Sequence, residues 1–116
     1  MGSESWAHAT ASAFNMLTQE ECAEVAKPKW WNDEGLKALS ARVARSAPNH
    51  VTANAMRAVV LSGHYERAWE AGPRSAVELM EAATHYERTA ALCGAPAQKA
   101  RNASRADWYR SLAAAL

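Results

Sequence analysis

Any chemistry in this chain has to come from four histidines, two cysteines and a scatter of carboxylates. A metal centre needs ligands at converging spacings. His8, His50, His64, His85, Cys22 and Cys93 form no CxxC, HxxxH or HExxH pattern. Nucleophilic catalysis needs a nucleophile beside a base that a third group orients. Ser62 near His64, and Cys93 in the same run as His85, supply the residue types but sit in no such motif. The acids Glu20-Glu21 and Asp33-Glu34, and the pair Glu78 and Glu81, fall at or near expected helix starts. There a negative charge offsets the helix dipole, and no catalytic role is required. Gly63 and Gly72 stand singly, so no glycine-rich phosphate loop exists. The sequence assigns no catalytic, cofactor-binding or metal-ligating residue, and enzyme activity is not expected.

Binding is better represented than catalysis. Five tryptophans in 116 residues is the unusual compositional fact. Tryptophan and arginine are favoured at the centres of protein interfaces. Trp6 in the N-terminal segment, Trp30 and Trp31 in a loop, and Trp108 with Arg101 and Arg105 near the C-terminus are the protein-contact candidates. In an alanine-rich core, tryptophan also supplies missing volume, and Trp69 and Trp108 are expected to do so. Arg101, Arg105, Arg110 and Lys99 beside Trp108 and Tyr109 offer a rival reading, binding of a nucleic acid strand. Thirteen basic against twelve acidic residues leave no net basic footprint, so nucleic acid is not the expected partner. A third reading, a small-molecule-binding or enzymatic bundle, requires a concave pocket with converging polar groups.

The elements that position these residues read as helices. Alanine dominates the apolar content, and it has the best helix propensity. Residues 1–10 read as a tail, flexible or docked. Residues 11–26 read as one helix or two, with Thr18 and Glu21 as a capping box that starts a helix at Gln19. Lys27-Pro28 ends that element. Asn32 or Asp33 caps a helix to about Ser46, with Leu36, Leu39, Val43 and Ala47 as its stripe. Val51–Leu61 follows, buried on more than one side. Tyr65, Ala68 and Trp69 resume helical spacing up to the Gly72-Pro73 break. Ser75 and Glu78 form a second capping box, and Val77, Leu79, Met80, Ala83, Tyr86, Ala90 and Cys93 supply the apolar side of the helix they open. A final helix runs from Ala97 to Leu116. No run is long enough to span a bilayer, and the first residues lack the pattern of a secretory leader. A soluble, intracellular chain without membrane insertion is the expectation.

Gly63-His64-Tyr65-Glu66-Arg67-Ala68, followed by Ala82, Tyr86, Thr89 and Gly94, resembles the tetratricopeptide repeat, a unit of about 34 residues with two antiparallel helices. The first segment looks like the turn between the helices. Ala82 looks like the small crossing residue and Tyr86 like the second-helix aromatic. Leu36 to Pro48 looks like the second helix of a preceding unit. Thr89 and Gly94 stand where alanine and proline are usual. Thr52, Ala55 and Met56 replace a bulky aromatic, a leucine and a small residue. An insertion around Gly72-Pro73 separates Ala68 from Ala82. The resemblance covers about residues 36–94. It implies structural roles for Tyr65, Ala68, Ala82 and Tyr86, and a function in binding other proteins. Trp69, as core volume, and Cys93, as a small core residue at a helix end, are expected to be structural apart from the resemblance.

The sequence therefore predicts an all-α domain over 11–116. About five helices stack as antiparallel pairs in a tetratricopeptide-like right-handed array. The expected role is an interaction module, or an adaptor or structural subunit of an assembly, with one or more proteins as partners and neither metal nor cofactor.

Overall fold

Residues 2–19, 22, 24–63 and 68–116 are described by a computed structural model of the chain. They form five α-helices and no strand: α1 (Glu4–Leu17), α2 (Asp33–Ser46), α3 (Val51–Ser62), α4 (Ala76–Leu92) and α5 (Pro96–Ala115). Local chemistry sets most of their ends. Ser3 Oγ accepts from the Trp6 amide and Asn32 Oδ1 from the Gly35 amide, so each caps a helix start. Ser75 and Glu78 form the expected reciprocal capping box. Pro96 sits at the start of α5, where its missing amide proton costs nothing. Gly63 closes α3 at φ +67°, and its amide donates to Val59 and Val60 carbonyls. His50 caps α3 by accepting the Ala53 amide on Nδ1. Its proton is therefore on Nε2, which donates to His8 Nδ1 at 2.8 Å and clips α1 to the start of α3.

Three sequence expectations are corrected here. The stretch read as a tail contains the first two turns of α1. Ala7, Ala11 and Phe14 share one face there, and all three are fully buried. Small alanines had hidden that periodicity. Thr18 closes α1 and does not open a helix: its hydroxyl donates back to Asn15 O at 2.7 Å and its amide to Phe14 O. Glu21, its expected capping partner, lies outside the described residues. Finally, 68–75 is not helical. The segment 64–67, with Tyr65 and most of the repeat-like turn, also lies outside the described residues.

The helices pack in sequence order, α1 on α2, α2 on α3, α3 on α4 and α4 on α5, with α1 also reaching α3. One hydrophobic cluster takes residues from all five. The Cα radius of gyration, 13.5 Å, is about that of a folded chain of this length. α3 is central, with seven of its residues buried, from Ala53 to Leu61. Small side chains carry the crossings. Ala53, Ala58, Ala82 and Ala83 are fully buried. Gly35 does the same beside a loop, since a Cβ there would lie 2.4 Å from the Trp30 carbonyl oxygen. The apolar pattern overstates two faces: Val77 and Met80 of α4 point outward. Ser40, Asn54, His85 and Thr89 are buried polar groups, and each has a hydrogen bond.

Candidate functional site

The tryptophans divide into three groups. Trp31 and Trp69 belong to the core wall with Phe14, at centroid separations of 5.5–6.1 Å. Trp31 Nε1 donates to Ala68 O at 2.8 Å, and Trp69 Nε1 to Asp33 Oδ1 at 3.0 Å. Both ring nitrogens are thus used internally, and half-buried Trp31 has its ring engaged by three aromatic neighbours. Trp30 and Trp6, also half-buried, line a shallow hollow of about 230 Å3 with Leu39 and Arg42. The Arg42 guanidinium lies 5.1 Å from the Trp6 ring centroid. Trp108 is the outlier. Expected as core filler, it is 63% exposed, because its neighbour Tyr109 takes the inward position. Tyr109 stacks on Tyr86 with centroids 5.6 Å apart and planes 8° from parallel.

Arg101, Arg105, Trp108 and Leu112 recur at spacings of four, three and four, so they occupy one face of α5. The arginine end of that face opens into a groove of about 310 Å3. Its far walls are Asn15 of α1 and Val51, Thr52, Ala55 and Val59 of α3, and Tyr86, Thr89 and Cys93 form its floor. The groove exists because the close packing of α5 is with α4. Arg101 is exposed, and Arg105 is half-buried with its guanidinium 5.9 Å from the Tyr86 ring. No carboxylate is among the described residues that line the groove, and the described lining carries the positive charge of Arg101 and Arg105.

The other members of the basic cluster are engaged. Lys99 Nζ donates to Ala90 O near the end of α4. Arg110 is paired with Glu87 and Asp107. The nucleophile–base pairs considered from sequence do not form among the described residues. Ser62 Oγ donates to Val59 O and meets the Tyr86 hydroxyl, while His64 is not described. His85 Nδ1 is bonded to Asn54, and Cys93, half-buried at the close of α4, has Asn102 Nδ2 3.9 Å from its sulfur. No group of three potential metal ligands converges among the described residues. No described helix is long and apolar enough to cross a membrane.

One polar hub was not singled out from sequence. Asp33, in the first turn of α2, accepts from Trp69 Nε1, the Gly72 amide and both terminal nitrogens of Arg74. Arg74 also donates to the Val60 and Leu61 carbonyls at the end of α3. The Gly72-Pro73 segment is thereby fastened to both helices. Burial pushes the Asp33 carboxyl up, but the hydrogen bonds from Arg74, Trp69 and Gly72 prevail and hold it at about 2, below its ordinary 3.8. Glu78 is lowered too. Burial opposes this, and Lys37 at 2.6 Å and the Ser75 amide cause it. Compared with known proteins, the chain matches no family model, no curated protein and no solved structure.

Proposed function

We propose that this chain is a protein-interaction module, an adaptor or small subunit, built as a tetratricopeptide-like right-handed array of antiparallel helix pairs. One observation carries the reading: Arg101, Arg105, Trp108 and Leu112 share one face of α5, and the two arginines open into a groove walled by α1 and α3. In such an array, α1, α3 and α5 are the first helices of successive pairs. The partner is a protein segment with acidic residues for the two arginines and an apolar side chain for Trp108. An exposed tryptophan beside arginines has the composition of an interface centre.

Selection from a displayed library of twelve-residue peptides tests this. Enriched peptides should carry at least two acids and one large apolar residue. The Arg101→Glu/Arg105→Glu variant should abolish their binding, and Trp108→Ala should weaken it by about 2 kcal/mol. Enrichment without acids, or binding indifferent to the charge reversal, would sink the proposal. The nucleic-acid reading has less support. With Lys99 and Arg110 engaged and Tyr109 buried, only Arg101 and Arg105 of that cluster remain for phosphates.

A further inference from the structure

A second cleft, of about 440 Å3, lies on the α2/α4 side of the molecule, away from the α1/α3/α5 groove. Arg45 of α2, Arg57 of α3 and Arg88 of α4 enter it, with Glu81 and His85 of α4. Arg57 is committed. It donates to Lys37 O at 2.8 Å and Ser40 Oγ at 3.0 Å, and its Nε and a terminal nitrogen each lie 3.0 Å from Glu81 Oε2. That pairing neutralises Glu81, the one carboxylate among the described residues that line the cleft. Arg45 and Arg88, exposed and on opposite helices, make no hydrogen bond or ion pair with the described residues. Two uncompensated positive charges therefore flank one hollow.

A buried chain fixes the imidazole between them. Asn54, fully buried, donates through Nδ2 to Pro48 O at 3.0 Å and His50 O at 2.9 Å. Its Oδ1 is left to accept, so His85 Nδ1 carries the proton of their 2.9 Å bond. His85 Nε2 lies 3.6 Å from Glu81 at the edge of the cleft. An adjoining hollow of about 370 Å3 shares Pro48 and Arg88 and adds Leu92, itself 40% exposed.

We propose that this cleft binds a small phosphate monoester, its dianionic head between Arg45 and Arg88 beside His85 and its organic part against Pro48 and Leu92. Guanidinium forks match phosphate oxygens, and two uncompensated charges match a dianion better than a monocarboxylate. Burial, then Arg88 and to a smaller extent Arg57, hold the imidazole below its ordinary range, against Glu81, which raises it. A dianion beside Arg88 offsets that repulsion, so binding should draw a proton onto Nε2. This site is independent of the peptide groove.

The test is a titration of the full chain with butyl phosphate at constant ionic strength, followed through the histidine ring carbon–proton NMR signals. The His85 signals should shift saturably while those of His8 and His50 stay, and the His85 titration midpoint should rise in the complex. Arg45→Gln/Arg88→Gln should weaken binding at least about tenfold, with an unchanged melting temperature, since both side chains are exposed and unpaired. Arg101→Gln/Arg105→Gln should bind butyl phosphate as the parent does. Butyrate should bind at least about tenfold more weakly than butyl phosphate. His85 signals that do not saturate, or that respond equally in the Arg45/Arg88 variant, would overturn the site. Equal affinity for butyrate would overturn the dianion assignment. If Arg45 serves only to offset the α2 dipole, there should be no saturable binding at all.

Discussion

Replacing Asp33 by asparagine should remove a pH-dependent part of the stability that one carboxylate supplies. In the folded chain Asp33 gathers four donated hydrogen bonds, and its carboxyl is held at about 2 against an ordinary 3.8. At about 1.36 kcal/mol per pH unit, that lowering corresponds to roughly 2.4 kcal/mol. The side chain is 21% exposed, so solvent screening brings the expected contribution to about 2 kcal/mol. The sign follows from the lowered folded value. The stabilisation is complete above about pH 4 and is lost as the pH falls through about 2. Asparagine keeps the shape but leaves the half-buried Arg74 without its counter-charge. Urea unfolding, followed by tryptophan fluorescence and far-ultraviolet circular dichroism, should be measured for both proteins from pH 7 to pH 2. The parent should be more stable by about 2 kcal/mol at pH 7, and the gap should close between about pH 4 and pH 2. Glu78 is lowered as well, but it is present in both proteins and cancels in the difference. A gap that is constant down to pH 2, or below about 0.5 kcal/mol at pH 7, would refute the linkage.

Three further outcomes are expected from the same unfolding assay. Gly35→Ala should destabilise by about 1–3 kcal/mol, although the exchange normally favours a helix, because the new methyl meets the Trp30 carbonyl. Trp69→Ala should cost about 3–5 kcal/mol, while Trp108→Ala should stay within about 0.5 kcal/mol. Equal costs for the two would contradict their burial. Asn54→Leu should cost more than about 3 kcal/mol, since it strands the Pro48 carbonyl and the His85 Nδ1 proton together and removes one of the two bonds to the His50 carbonyl. A near-neutral result would show that the buried chain is not needed.

What could be read in advance was short-range. The starts of α2 and α4 follow from Asn32 and from Ser75 with Glu78, each bonded to an amide three residues on. Thr18 carries the same signature and behaves differently, because a threonine hydroxyl can also bond back into the helix it ends. The arginine pair on α5 was visible as a cluster. That Arg101 and Arg105 share a groove with α1 and α3, and that Lys99 and Arg110 are engaged elsewhere, depends on contacts no spacing rule encodes.

The sequence alone determined an all-helical chain and most of its helix ends, because capping and propensity act within a turn or two of the backbone. Only the tertiary structure decided which tryptophans are inside. Trp69 and Trp108 look alike as residues in alanine-rich surroundings, yet one is 5% exposed and the other 63%. The difference lies with partners far along the chain. Asp33, thirty-six residues away, receives the Trp69 indole proton, and Tyr109 takes the place against Tyr86 that Trp108 leaves. Burial is set by where helices cross, and a crossing is settled by every side chain that must fit there at once.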